Sequence, residues 1–241
     1  MRSVMPTVAI AHADQAGGAM DILDQWANEL KKYANEIGYT VIDICGSDLT
    51  YEGLTEILQD TKPAVLFNFS IGTAFCLIGN DMECTLTSGE KCNVPKLDLN
   101  FQPLNRRQNN LNVVAGTAVI AYSSYAATEL GPEIIKAGSP CFVGFSDNLI
   151  VVSDDIGTQD IFKESLLPLA KRILQGWTVG KAVEATHVDL LNKIKEYKAK
   201  GYDLISLPMF YNRRSLTLLG DPNWKLKGVQ PQYLHFINPR G

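Results

Sequence analysis

The chain has 241 residues, of which 46 % are hydrophobic and 20 % charged, enough apolar content to bury a full core in one soluble domain. A formal net charge of −4 gives no global pull toward nucleic acid or anionic membrane. No apolar run reaches membrane-span length, and the opening MRSVMPTVAIAHADQ is too briefly apolar for a secretory signal, so a cytoplasmic protein is expected.

Thr7–Ala11 reads as a short apolar strand, followed by a loop from His12 through Gly17-Gly18. Met20–Ile37 is an amphipathic helix, with Ile22, Trp26, Leu30, Tyr33, Ala34 and Ile37 on one face. Gly38 ends it, and Thr40–Ile44 is the second strand. Asp48 or Thr50 caps a short helix carrying Leu54, Ile57 and Leu58. Pro63 closes the connection to a third strand, Ala64–Phe69, which ends at the turn Ser70-Ile71-Gly72. This β-α-β-α-β order is the signature of a parallel, doubly wound sheet.

Residues 73–112 break that rhythm and are expected to form an inserted loop or hairpin region. Phe75–Ile78 and Thr85–Leu86 are candidate short strands within it. Val113–Tyr122 is then a β-branched apolar run, right for a buried parallel strand. Thr128–Lys136 is a helix stopped by Gly138 and Pro140, and Cys141–Phe145 is the next strand. Leu149–Ser153 is expected to add another strand. Thr158–Gln175 reads as a helix that Pro168 kinks or splits, and Val179–Lys200 as a second long helix. Leu204–Leu207 and Leu216–Leu219 are expected to form a hairpin around Asn212-Arg213-Arg214. The domain is thus expected to span 1–220, with 221–241 an extended tail holding Pro222, Pro231 and Pro239.

The turn Ser123-Ser124-Tyr125 falls at the carboxyl end of a central strand, where open α/β sheets place their ligand sites. His12 falls at the same edge, although a lone His there is more often a polar strand-end residue than a base. His187 and His235 have no evident partner in sequence. Cys76, Cys84 and Cys92 lack Cys-x-x-Cys spacing and a nearby His, so no zinc site is expected on them. A Cys84–Cys92 bridge across a hairpin is conceivable, but a reducing compartment argues against it, and five cysteines do not make a disulfide scaffold. Cys141 opens a buried strand and reads as core. Gly17-Gly18 lacks the Lys and spacing of a phosphate loop. No metal or other cofactor is called for.

The succession Ser124-Tyr125-Ala126-Ala127, Glu129-Leu130-Gly131, Ala137-Gly138 and Val143-Gly144-Phe145-Ser146-Asp147 resembles the caspase-like cysteine peptidases, the group of gingipains, legumains, separases and CHAT-type proteases. The resemblance runs over about residues 8–180 and implies a three-layer α/β sandwich of roughly six strands; a flavodoxin-like doubly wound domain is the runner-up. It places Ser124 where the group holds its nucleophilic cysteine, and Ile71 where it holds its histidine. It also implies a substrate groove near Ser70, Gly72, Tyr125, Ser146 and Asp147. Isoleucine accepts no proton, so Ser124 is expected to bond backbone at its turn rather than attack a substrate.

The resulting expectation is a catalytically degenerate pseudo-peptidase that self-associates or binds a protein partner. Trp224, Tyr233 and Phe236 of the tail are its interface candidates. Residues 1–180 hold 12 Lys/Arg against 21 Asp/Glu, whereas residues 181–241 hold 10 against 5, so an acidic body and a basic end can attract one another between copies. The basic residues are diluted by apolar ones, which does not favour nucleic-acid binding. The alternatives are a hydrolase that uses Ser124 with another base, or a sensor of peptides or small molecules in the groove.

Overall fold

The computed structural model describes residues 6–13, 19–74, 76–78, 84–85, 91–92, 95–98, 110–152 and 156–227. In chain order they form β1 (Thr7–His12), α1 (Ala19–Glu36), β2 (Thr40–Ile44), α2 (Tyr51–Thr61), β3 (Val65–Phe69), β4 (Cys76–Ile78), β5 (Cys84–Thr85), β6 (Lys91–Cys92) and β7 (Pro95–Asp98). There follow β8 (Ala118–Tyr122), α3 (Leu130–Lys136), β9 (Cys141–Phe145), α4 (Ile156–Leu166), α5 (Pro168–Leu174), α6 (Val179–Ala199), α7 (Asp203–Ser215) and β10 (Leu216–Gly220).

The central sheet has six strands in the order β10-β9-β8-β3-β1-β2. β2, β1, β3, β8 and β9 run parallel, and β10 closes the far edge antiparallel to β9. β3, β8 and β9 are buried throughout because helices cover both faces of the sheet, which is why they read as unbroken apolar runs. On one face Val8, Ile10, Phe67, Phe69, Ile120, Tyr122 and Val143 pack against α1 and α4–α6. On the other, Ala9, Ala11, Leu66, Val119, Ala121 and Phe142 pack against α2 and α3. The chain crosses β1 to β2 on the first face and β8 to β9 on the second, so strand order reverses beside β1 and β3. That reversal opens a crevice at the carboxyl edge.

The helices follow their apolar periods. Ile22, Trp26, Leu30 and Ala34 of α1 are buried, with Tyr33 and Ile37 packed at the margin. The Thr50 hydroxyl caps α2 by accepting from the Gly53 N–H at 3.1 Å. Pro168 splits the expected helix into α4 and α5. Two motif glycines have packing reasons. A Cβ on Gly131 would stand 2.8 Å from Phe142 Cδ1, so the glycine lets α3 lie close on β9. Gly138 takes φ +101° to end α3.

Three expectations are corrected. Val113 and Val114 belong to a helical turn, Leu111–Val114, and the strand begins only at Ala118. Gly116, at φ +82°, turns the chain between them. Residues 149–152 form no strand, because side chains capture their backbone. Ser124 Oγ accepts from the Leu149 N–H at 3.0 Å, and the buried Asn212 amide both accepts from Ile150 N–H at 2.8 Å and donates to Ile150 O at 2.7 Å. The expected C-terminal hairpin is instead α7 followed by β10. Asp203 in its first turn and Arg213 and Arg214 in its last complement the helix dipole.

Within the inserted region β4 pairs antiparallel with β7, and β5 with β6, where Cys84 and Cys92 lie opposite one another in register. Phe75 and Leu86 of the expected strands lie outside the described residues. Trp224 is half-buried against the main core, Leu226 is buried, and Val179 N–H donates to Trp224 O at 2.9 Å. The start of the tail therefore belongs to the body. Tyr233, Phe236 and His235 lie outside the described residues, as do Gly17 and Gly18.

Candidate functional site

Three loops meet at the carboxyl edge: the turn after β3, the turn after β8 and the segment after β9. Beneath them lies a polar knot inside an otherwise apolar layer. Asn68, buried near the end of β3, donates from Nδ2 to Ser70 Oγ and to Ser123 Oγ, each at 3.0 Å. Ser123 Oγ in turn donates to the Ser70 carbonyl. Ser70 and Ser123 are both buried, so this knot ties the two turns together and holds the Ser70 hydroxyl inward, away from any groove. Gly72 is also buried and bridges to Leu77. Ile71 points outward between them, 48 % exposed.

Ser124 is half-buried one residue beyond the knot. Its oxygen accepts the Leu149 N–H, and among the described residues no imidazole or carboxylate hydrogen-bonds to it. Tyr125 occupies the left-handed region at φ 58°, a conformation that strains a non-glycine residue. Two contacts hold it there. Its N–H donates to Asp147 O at 3.0 Å, and its hydroxyl accepts from Asn148 Nδ2 at 2.8 Å. Tyr125, Asp147 and Ser124 are thus brought together around the 147–149 backbone. Ser146 faces the other way, its N–H and Oγ both donating to Ser215 O at the end of α7. Cys141 is fully buried at the base of β9, and burial pushes its thiol up to about 12, which leaves it inert.

A second polar cluster lies on the same edge. His12 is buried at the end of β1, two strands and about 10 Å across the sheet from β8. Its Nδ1 stands 2.6 Å from Asp24 Oδ1 on α1, and its Nε2 stands 2.9 Å from Asp43 Oδ1 on β2. Asn28 donates to Asp24 Oδ2 at 3.0 Å, and Lys31 Nζ reaches Asp43 Oδ2 at 2.6 Å. Burial alone would raise the Asp43 carboxyl, but hydrogen bonds from Lys31 and His12 outweigh it and hold the group below the ordinary carboxylate range. His12 is therefore engaged with its own carboxylates. Its partners are 12 and 31 residues away in sequence, so only strand adjacency could have signalled them.

His187 lies elsewhere, in a cavity of about 460 Å³ lined by Val183, Glu184, Val188, Leu191 and Arg213. Burial and the Arg213 guanidinium hold its imidazole below the usual histidine range. No helix among the described residues is long and apolar enough to cross a membrane.

No protein-family model and no curated protein matches the chain. Among solved structures it is similar to the Arg-specific cysteine proteinase gingipain R, with a TM-score of 0.54 and 10 % identity over 94 % of this chain and 49 % of that one. It is also similar to a complex of the pro- and mature domains of Porphyromonas gingivalis RgpB, with a TM-score of 0.49 and 11 % identity over 92 % of this chain and 48 % of that one. The chain thus spans about half the length of the structures it matches. Its fold is the mixed α/β, caspase-like fold of gingipain R: a mostly parallel six-stranded sheet flanked by helices.

Proposed function

We propose that this protein is a catalytically degenerate caspase-like protein that works as a self-associating subunit. The observation that carries the reading is the inverted amphipathicity of α7. The helix buries Ser206, Met209, Asn212 and Ser215, which are small or polar apart from the methionine, and turns its large apolar residues outward. Leu204 is 83 % exposed and Leu207 53 %, with Phe210 and Tyr211 exposed on the following turn. Residues at this i, i+3, i+7 spacing form a stripe that water covers only at a cost. The acidic body and the basic segment after residue 180 favour a second copy as the occupant. The absence of peptidase chemistry is supported by Ser124 and Ile71. A peptidase dyad needs a nucleophile and an imidazole within hydrogen-bond reach, and the Ser124 oxygen is instead occupied by a backbone N–H.

The test is the mass in solution of the full chain against Leu204→Glu/Leu207→Glu, measured by light scattering. Both side chains are exposed, so the double variant should keep its circular dichroism and thermal midpoint. The expected outcome is an oligomer that becomes monomeric in the variant. Two identical monomers would sink self-association and favour a sensor that uses the groove. Cutting at residue 221 would strip Trp224 and Leu226 from the core, so a truncation control belongs after Lys227.

A further inference from the structure

We propose that His12, Asp43 and Cys45 form a binding site for a zinc-class divalent cation, with Asp24 as the positioning residue of the imidazole. A ring nitrogen of His12, an Asp43 carboxylate oxygen and Cys45 Sγ all lie within 4.8 Å of one another. The parallel pairing of β1 and β2 builds this geometry. Ala11 lies beside Ile44, so the next step along both strands sets His12 next to Cys45.

The placement of the His12 ring fits a metal ligand. A neutral imidazole has one N–H, yet both ring nitrogens face carboxylate oxygens. With a cation on Nε2 the ring's one N–H would sit on Nδ1, 2.6 Å from Asp24 Oδ1, which is placed to accept it. Nε2 would then give its lone pair to an ion that the Asp43 and Cys45 ligand atoms, gathered around the ring, also reach. A carboxylate on the far nitrogen of a ligating histidine is the arrangement that fixes ring orientation and tautomer at metal centres. Ligand type agrees. Nitrogen, carboxylate oxygen and thiolate sulfur together suit zinc rather than magnesium or calcium. Tetrahedral zinc with bonds of about 2.0–2.1 Å to nitrogen and oxygen sets those atoms about 3.3 Å apart. The 2.9 Å between His12 Nε2 and Asp43 Oδ1 needs to widen by only a few tenths. Lys31 holds Asp43 Oδ2 and leaves Oδ1 for the ion.

Charge also agrees. Asp24 and Asp43 face the ammonium of Lys31, a surplus of one negative charge; a divalent cation that displaces the Cys45 thiol proton on binding would balance it. Asp43 and Cys45 are partly solvent-accessible while His12 is 4 % exposed, so an ion has an entry path to a ring that cannot swing away. The three ligands leave a fourth position for water.

The experiment is a Co²⁺ titration of chelator-treated full-length protein, read by visible and near-ultraviolet absorption. The expected result is saturation at one equivalent, with tetrahedral d–d bands and a thiolate-to-cobalt charge-transfer band, all displaced by Zn²⁺. Cys45→Ser should lose the charge-transfer band, and Asp24→Asn should bind about 10- to 100-fold more weakly. Both changes are nearly isosteric, and a thermal melt confirms that each variant folds. Zn²⁺ at a hundredfold excess over its Kd should raise the Tm of the wild type by about 5–10 °C. Failure to saturate would overturn the site and leave His12 with its contacts to Asp24 and Asp43 alone. A charge-transfer band that survives in Cys45→Ser would also overturn it, by placing the ion on other cysteines.

Discussion

Replacing Trp26 with alanine is expected to lower the unfolding free energy by about 3–5 kcal/mol. The indole is 1 % exposed where α1 crosses the sheet. It meets Tyr122 edge-on, with centroids 6.2 Å apart and planes at 88°, and Tyr122 stacks on Phe69 at 4.6 Å and 6°. The Tyr122 hydroxyl reaches past this stack to donate to Leu166 O at 3.1 Å, so α1, β3, β8 and α4 converge on one aromatic column. Removing Trp26 leaves a cavity in a close-packed core, and the aromatic pair energy is lost with it. For a chain of this size the loss corresponds to a drop in Tm of about 6–20 °C. Urea denaturation measures it directly. Trp177, 40 % exposed over Arg172, is the internal control, and its alanine variant should lose about 0.5–1 kcal/mol. If the two variants lost equal stability, the aromatic column would not be the centre of the core.

The second large effect is expected at Asn68. Asn68→Leu keeps the volume but removes the amide that joins Ser70 to Ser123. Both hydroxyls are buried, so they lose a donor without gaining water, and the expected cost is about 2–3 kcal/mol. The loss should couple to Ser123→Ala. With the hydroxyl already gone, the additional cost of Asn68→Leu should fall by about 1 kcal/mol in a double-mutant cycle. Additivity within error would mean that the knot does not act as a unit. Its position lets it fix the turn after β3 and the turn after β8 relative to one another.

The sheet was legible because its strands are either fully buried or bounded by Gly and Pro, and because helix and strand alternate from Thr7 to Phe69 and again from Ala118 to Phe145. The carboxyl edge could be located from the same alternation. What was not legible depends on side chains that replace backbone or reverse the usual pattern. Asn212 mimics a strand partner for Ile150, and no periodicity in residues 149–153 announces that. α7 hides a mostly small and polar face and shows an apolar one, so a search for buried apolar faces reads its residues as hairpin strands. Asn68, a lone polar residue within an apolar strand, was the one available signal for the knot. The Ser124 turn was found from sequence, whereas the bond to Leu149 that occupies its oxygen joins residues 25 apart and needed the fold.

Whether Ser124 is a nucleophile is the question on which the account turns, and covalent labelling answers it. The full chain is incubated with a fluorophosphonate and, separately, with peptidyl electrophiles carrying Lys or Arg, and its intact mass is measured beside that of Ser124→Ala. An unchanged mass is expected in both proteins, because among the described residues no base hydrogen-bonds to the Ser124 hydroxyl, and its oxygen accepts the Leu149 N–H. A stoichiometric adduct on the wild-type chain that maps to Ser124 and is absent from Ser124→Ala would contradict it.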